Sequence, residues 1–167
     1  DLDKVAVTVG PGSFTGIRIG IAIAKALVFK KDIKMTAMNT LDLLAYETAY
    51  KGKILSLIDA RKERAYYALY ENMEKISEYS DGELREFLEK YKEDEILFTG
   101  DASYIYKEII EEIMGSKAKF INKARVFPRA GILAERAVDL EEVNSVILEP
   151  YYHSKTQAER EKELKSK

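Results

Sequence analysis

The chain has 167 residues, of which 46% are hydrophobic and 34% are charged, with a net charge of −2 and no cysteine. Disulfides and thiolate sites are therefore excluded in this chain, and the near balance of charge argues against a dedicated, strongly basic nucleic-acid surface. The longest apolar run, Ile19 to Phe29, is interrupted by Gly20 and Lys25 and is too short to span a bilayer. We expect a soluble, cytoplasmic protein.

The first predicted element is a strand at Val5 to Val9, which runs directly into a glycine-rich loop. Its β-branched and small apolar residues are typical of a strand buried on both faces. Glycines permit a sharp turn here, and Ser13 or Thr15 can cap the helix that follows. The residues of this glycine loop are Gly10, Pro11, Gly12, Ser13, Thr15 and Gly16.

A loop of this kind can hold a phosphate at the start of a helix. However, the spacing Gly-x-Gly-x-x-x-Gly is one residue longer than the dinucleotide fingerprint, and no Gly-Lys-Ser/Thr follows. Glycine-rich turns after strands are common, so the spacing favours a plain strand-to-helix turn. A phosphate site, intact or vestigial, stays open as the alternative.

A helix is predicted from Gly16 to Phe29. Isoleucines at every second position are typical of a strand, but the length and the alanine content favour a helix. Small residues at every fourth position would then form a stripe that another backbone can approach closely. This stripe indicates a partner helix or, equally well from periodicity alone, packing against the chain's own sheet. The predicted partner interface consists of Gly16, Ile17, Gly20, Ile21, Ile23 and Ala24.

The next elements alternate between helix and strand patterns. Ile33 to Met38 is predicted to be a strand, and Asn39 or Thr40 can cap a helix that ends at Gly52. Three strand-like runs separated by charged or asparagine-containing turns then predict an antiparallel meander. These three runs are Lys53 to Asp59, Arg64 to Glu71 and Met73 to Tyr79.

The remaining pattern is helix, strand, helix, strand, helix and a polar tail. The predicted segments are a helix capped by Asp81 and running to Tyr91, a strand at Ile96 to Thr99, an amphipathic helix at Tyr104 to Met114, a strand at Lys117 to Asn122, a helix starting at Pro128 and a tail at Thr156 to Lys167. Gly115 is the expected stop of the amphipathic helix.

Asp59 and Asp101 each follow a predicted strand, where ligands of open α/β sheets collect. Two carboxylates there could hold magnesium, but turn and cap roles are the more common use of aspartate. We expect Asp59 to pair with Arg61 or Arg64, and Asp101 to cap the helix near Ala102. No metal site is predicted.

A metallopeptidase would need clustered histidine or carboxylate ligands, and His153 is the chain's one histidine. A solvated or packed role is expected for this residue. The same shortage of histidine counts against a nucleophilic triad, and we predict no catalytic residues.

The segment VAVTVGPGSFTGIRIGIAIAKAL resembles the signature of the bacterial TsaB family, also called YeaZ. Further similar segments are LIDARKERAYYALYE, FTGD at Phe98 to Asp101, Phe127 to Ala137 and LEPYYHSKTQAER. This resemblance covers nearly the whole chain. It implies an α/β fold of the ribonuclease H-like, actin-like ATPase type, with two lobes and a mixed sheet.

The family normally has strands and a helix upstream of the first segment seen here, so the resemblance implies that the first lobe is incomplete at its N-terminus. The expected division is residues 1–51 for the remainder of the N-terminal lobe, 52–150 for a ribonuclease H-like C-terminal lobe and 151–167 for a C-terminal tail.

The resemblance also implies a function. TsaB family members are non-catalytic partner subunits in the synthesis of threonylcarbamoyladenosine beside the tRNA anticodon. They support the catalytic subunit TsaD, which carries the metal and nucleotide site, and the ATPase TsaE joins the assembly. A homodimer through the same helix is the expected state without TsaD, tRNA is contacted only indirectly, and no cofactor is expected.

Two alternatives stay open. The first is a nucleotide-binding enzyme of the actin-like or sugar-kinase class that uses the Gly10 to Gly16 loop for phosphate. The second is a protein that binds tRNA directly.

Overall fold

The structure is a computed structural model and describes residues 2–152. Its strands are β1 (Lys4–Thr8), β2 (Lys34–Met38), β3 (Lys53–Asp59), β4 (Arg64–Glu71), β5 (Glu74–Lys75), β6 (Ser80–Glu83), β7 (Ile96–Thr99) and β8 (Ala118–Phe120). Its helices are α1 (Phe14–Val28), α2 (Thr40–Tyr46), α3 (Leu84–Lys90), α4 (Ala102–Ile105), α5 (Lys107–Met114) and α6 (Ala130–Arg136), with 3₁₀ turns at Gly115–Lys117 and Lys123–Arg125. His153 and the predicted tail from Thr156 lie outside the described residues.

The strands form two sheets. In the first, β1 and β2 pair in parallel, with Lys4 opposite Lys34 and Thr8 opposite Met38. In the second, the order is β5-β4-β3-β7-β8, and β6 pairs with β4. The β3–β4 pair is antiparallel, whereas β3–β7 and β7–β8 are parallel. The fold is therefore α/β with a mixed sheet, as the sequence predicts.

Two of the predicted meander strands are confirmed, but the third is wrong. Met73 to Tyr79 is not one strand, because Asn72 and Met73 form a turn in which both have positive φ. The short strand β5 follows that turn, and β6 starts only at Ser80. Asp81 lies inside β6 with its carboxylate 3.6 Å from Arg64, so it does not cap α3.

The predicted amphipathic helix and the last helix also need correction. The former is two helices, because the chain departs from helical geometry at Tyr106 (φ −106°, ψ 23°), between α4 and α5. Gly115 ends α5 with a positive φ, as expected. The last helix starts at Ala130, not at Pro128, and ends before Val138.

The core is concentrated on the six-stranded sheet. On one face, α3, α4 and α5 cover Leu55, Leu57 and Phe98. On the other face, Leu41 and Ala45 of α2 pack with three side chains of the sheet, Ile54, Ala68 and Tyr70. In β1, Val7 is buried against α1, and Ala6 on the opposite face is half-buried against Leu133 of α6. Both faces of this strand are therefore covered, as the sequence predicts, but less completely than in the six-stranded sheet. No helix within residues 2–152 is long and apolar enough to cross a membrane.

Candidate interaction surface

The glycine loop leads directly into α1, as predicted. Ser13 is the N-cap, and its hydroxyl accepts a hydrogen bond from the backbone N–H of Gly16 at 3.2 Å. This bond satisfies one of the free N–H groups at the start of the helix. From there the helix runs 15 residues to Val28, which confirms the helix prediction over the competing strand pattern.

The inner face of α1 packs against the chain's own sheet. Ile21, Ala24 and Val28 are buried, and they form a cluster with Val7 of β1 and Met35 of β2. The interface prediction is therefore corrected for Ile21 and Ala24. Both side chains are 4% exposed, so they are not available to a second protein.

Two further residues of the predicted interface also lie toward the sheet. A Cβ atom on Gly20 would be 4.0 Å from Cγ2 of Val7. Ile17 is half-buried and packs against the same cluster. The small-residue stripe thus brings α1 close to its own sheet at Gly20 and Ala24. Of the six predicted interface residues, only Gly16 and Ile23 are exposed.

An apolar outer face lies on the opposite side of α1. We define this outer face by Ile19, Ile23 and Leu27, which follow one another at intervals of four residues and so share one side of the helix. Their exposures are 54%, 57% and 43%. Exposed alanines at positions 22 and 26 lie between them, and Phe29 just beyond the helix is 68% exposed. Exposed apolar patches are typical of interaction sites, so the outer face is a candidate interaction surface.

The glycine loop is in close contact with the C-terminal part of the described chain. The backbone N–H of Tyr151 donates to the carbonyl of Val9 at 2.7 Å. Gly10 has φ +114°, and a Cβ atom there would lie 2.8 Å from the carbonyl oxygen of Tyr151. Gly10 is therefore required for backbone geometry and for this close approach.

The remaining loop residues form the turn into α1. The carbonyl of Gly10 accepts a hydrogen bond from the N–H of Thr40 at 2.8 Å, which connects the loop to α2. Pro11 is buried, whereas Gly12, Ser13 and Thr15 are exposed. Cδ1 of Ile17 would be 3.5 Å from a Cβ atom on Gly12. The phosphate alternative for this loop stays a prediction.

A groove of about 370 Å³ lies between α1 and the segment that ends at Tyr152. Arg18 and Lys25 of α1 line one side, and Leu148, Pro150 and Tyr152 line the other. Nε of Arg18 donates to the hydroxyl of Tyr152 at 2.6 Å, and Nζ of Lys25 donates to the carbonyl of Val146 at 3.0 Å. We call this feature the α1 groove. Sequence reasoning did not identify it, because its two sides are more than 100 residues apart in the chain.

Asp59 and Asp101 meet at the end of β3 and β7, in the turn and cap roles that the sequence favours. Oδ1 of Asp101 accepts from the N–H groups of Ala102 at 2.8 Å and Asp59 at 3.1 Å. Oδ1 of Asp59 accepts from the N–H of Arg61 at 2.9 Å and from the hydroxyl of Tyr106 at 2.6 Å. Each of these carboxylates thus fixes nearby backbone.

The hydroxyl of Tyr106 is affected by this contact. Burial and the hydrogen bond to the Asp59 carboxylate raise the pKa of Tyr106 to about 12. Burial disfavours the charged phenolate, and the carboxylate accepts a hydrogen bond only from the neutral phenol. Within residues 2–152, no group of three or more histidine, cysteine, aspartate or glutamate side chains is placed to hold a metal ion.

Comparison with known proteins gives consistent matches. A family model described as TsaD, tRNA N6-adenosine threonylcarbamoyltransferase, matches residues 1–162. The tRNA threonylcarbamoyladenosine biosynthesis protein TsaB of Bacillus subtilis is 33% identical over 166 residues, which are 95% of this chain and 72% of that protein. The Escherichia coli protein of the same description is 39% identical over 77 residues, which are 44% of this chain and 33% of that protein.

Solved structures with the same fold come from Pseudomonas aeruginosa. An uncharacterized protein with similarity to the peptidase YEAZ superposes with a TM-score of 0.70 at 23% identity, over 91% of this chain and 74% of that one. YeaZ superposes with a TM-score of 0.70 at 24% identity, over 90% of this chain and 74% of that one. At this level of identity the likeness establishes the mixed α/β fold.

Proposed function

The chain belongs to the TsaB (YeaZ) family, and from this premise we propose that it is a non-catalytic subunit needed for threonylcarbamoyl transfer to the adenosine next to the tRNA anticodon. Its contribution is to bind and support the catalytic subunit TsaD. The observation that carries this proposal is the exposed outer face of α1 at Ile19, Ile23 and Leu27.

The outer face has the chemistry of a helix-to-helix contact. Its three large side chains are apolar, and burying such a side chain in an interface contributes about 1.5 to 3 kcal/mol. Gly16 and the alanines at positions 22 and 26 are small, which lets a partner helix approach the backbone closely. A second apolar helix on a related subunit is therefore the occupant that we propose.

The interface differs in one respect from the one that the sequence suggests. Because Gly20, Ile21 and Ala24 pack toward β1, the docking contact is assigned to the other side of the same helix. Gly16 and Ile23 belong to both versions. The helix is thus used twice, once to cover the chain's own sheet and once to bind a partner.

The division of the chain into lobes is part of the same proposal. We assign residues 1–51 to one lobe of a ribonuclease H-like, actin-like fold, residues 52–150 to the other and 151–167 to a tail. In that arrangement β1, β2 and α1 belong to the lobe that docks. TsaE is proposed to join the assembly, tRNA to be contacted only indirectly, and a homodimer to form through the outer face when TsaD is absent.

The test replaces Ile23 with aspartate and measures binding to purified TsaD by isothermal titration calorimetry. A charge in the centre of an apolar contact removes burial and leaves the carboxylate without a partner. We expect the affinity to fall by at least about 30-fold, equivalent to a hot-spot loss of about 2 kcal/mol or more. Thermal unfolding of the isolated variant should remain within a few degrees of the wild type, because Ile23 is 57% exposed.

Ile76 provides the matched control. It is 50% exposed, lies in the loop between β5 and β6, and is remote in sequence from α1. Ile76→Asp should bind TsaD with wild-type affinity. Equal affinities for both variants would contradict the docking proposal. Turnover by the isolated wild-type chain, or micromolar ATP binding with hydrolysis that is lost in a Gly12→Leu variant, would instead support the nucleotide-binding alternative.

A further inference from the structure

Arg18 is held in a fixed position at the α1 groove. Its guanidinium carbon lies 4.0 Å from the ring centroid of Phe14 and 5.6 Å from that of Tyr152. The two rings are themselves 5.4 Å apart, and Nε donates to the Tyr152 hydroxyl. A guanidinium that contacts two aromatic rings and donates one hydrogen bond loses little further freedom when it binds an anion.

The rest of this guanidinium is free of partners among the residues that the structure describes. Among residues 2–152, the two terminal nitrogens of Arg18 have no hydrogen-bond or ion-pair acceptor. A guanidinium fork of this kind matches a carboxylate, to which it can donate two parallel hydrogen bonds. Such charge-assisted bonds are shorter and stronger than neutral ones.

The surroundings of the groove combine positive charge with apolar surface. Lys25 lies two helical turns after Arg18 on the same side of α1, while Glu149 is the one carboxylate among the described residues that line the groove. Two cations against one anion leave the groove with a net positive charge. Its walls include Leu148 and Pro150, which are half-buried and offer apolar contacts.

We propose that the α1 groove is a second contact of the partner interface, in which Arg18 receives a carboxylate from an acidic side chain of the docked sister subunit. The inference rests on the proposed function, since Ala22, which lines the groove, is a helical neighbour of Ile19 on the outer face. Tyr152 is a positioning residue in this arrangement, because it holds the guanidinium through Nε and leaves the other nitrogens for the partner.

A protein carboxylate fits this site better than an RNA phosphate does. Ala22 in the groove is three residues from Ile19 of the outer face, and Leu148 and Pro150 add apolar surface beside the charged side chains. This combination suits a folded protein segment that carries one acid beside apolar side chains. A nucleic-acid backbone would instead need several cations along a polar track. Only Arg18 and Lys25 are available among the lining residues that the structure describes.

The test measures binding of TsaD to three variants of the 167-residue chain by calorimetry at about 50 to 500 mM salt. Arg18→Glu should weaken binding about 50-fold or more, since it removes a charge-assisted pair and places two carboxylates together. Arg18→Lys keeps the charge but loses the fork, and about a 5- to 10-fold loss is expected. Arg85→Glu, at an exposed arginine of α3, is the matched control and should stay within about twofold.

The salt dependence gives a second readout. Wild-type affinity should fall as salt rises, and Arg18→Glu should have a flatter dependence because the pair that salt weakens is absent. A double variant of Arg18→Glu with Tyr152→Phe should be no weaker than Arg18→Glu alone, since the hydroxyl acts through that arginine.

Several results would overturn the inference. If Ile23→Asp abolishes binding while Arg18→Glu matches Arg85→Glu, the outer face docks and the groove does not. If neither Ile23→Asp nor Arg18→Glu changes the affinity, the docking proposal itself fails. Loss of tRNA binding with TsaD binding retained would identify a phosphate site. If replacing Glu159, Glu161 and Glu163 by glutamine cancels the Arg18→Glu effect, the chain's own tail is the occupant.

Discussion

The two sheets of this protein differ in how much apolar surface is left exposed by the helices that cover them. In the six-stranded sheet, Leu55, Leu57 and Phe98 are completely buried beneath α3, α4 and α5. In the two-stranded sheet, Val7, Met35 and Met38 are buried, but α1, which covers one face of that sheet, leaves its own outer face exposed. The six-stranded sheet thus has its own core, whereas the helix on the β1–β2 sheet presents apolar surface that another protein can cover.

The largest change in stability is expected for a substitution in the core of the six-stranded sheet. Phe98 is 0% exposed and stacks on Phe120 at a centroid distance of 5.7 Å. Phe98→Ala should lower the free energy of unfolding by about 3 to 5 kcal/mol, since it removes a buried aromatic ring and leaves a cavity. Urea denaturation followed by circular dichroism measures this change.

The paired control for Phe98 is Ile23→Ala on the outer face. Because Ile23 is more than half exposed, its truncation should change the free energy of unfolding by no more than about 0.5 kcal/mol. Comparable losses at both positions would show that the two regions are not distinct in stability.

A smaller effect is expected where the C-terminal segment meets the glycine loop. Gly10→Ala forces a side chain into a positive φ and toward the Tyr151 carbonyl, so unfolding should become easier by about 1 to 3 kcal/mol. The control is Gly131→Ala in α6, where a Cβ atom meets nothing within 4 Å. That change should stabilise by about 0.5 to 1 kcal/mol, because alanine favours helix.

Thermal and urea unfolding of the two glycine variants measure this difference in sign. If Gly10→Ala lowers the free energy of unfolding and Gly131→Ala raises it, then glycine is required by the backbone at position 10 but not at position 131. If Gly10→Ala were neutral, the contact between the loop and Tyr151 would not contribute to stability.

The smallest effect concerns the hydrogen bond at the end of β3. The pKa of Tyr106 is raised from 10.0 to about 12 in the folded state, so folding favours the protonated phenol. Its stabilising contribution is complete below pH 10 and is lost as pH rises from 10 through about 12. Tyr106→Phe should therefore be slightly less stable than wild type at pH 8, and the difference should shrink by pH 11.

Urea midpoints at pH 8, 9, 10 and 11 check this last prediction. If the midpoints of the wild type and Tyr106→Phe changed in parallel with pH, the pKa of Tyr106 would be the same in the folded and unfolded states.

Local patterns predict most of the element order correctly. The bounds of β3, β4 and β7 match those expected from the sequence, because alternating or continuous apolar runs end at clear turn residues. Asn39 caps α2, as expected for a short polar side chain before an apolar run.

The errors occur where tertiary contacts override local preference. The sequence suggests one helix from Tyr104 to Met114, but Tyr106 leaves helical geometry and its hydroxyl donates to Asp59, 47 residues earlier. Aspartate is a common helix-cap residue, yet Asp81 lies in β6 opposite Tyr66 of β4. Neither partner is visible from a local window of sequence.

The sequence by itself determined that α1 is an apolar helix with closely spaced small residues and that it follows a glycine turn. Only the tertiary structure decided which side of that helix is buried. Both sides are apolar, so periodicity cannot distinguish them, whereas packing of Ala24 on the chain's own sheet leaves Ile23 exposed. The Arg18–Tyr152 contact was likewise a tertiary outcome, since it joins residues 134 positions apart.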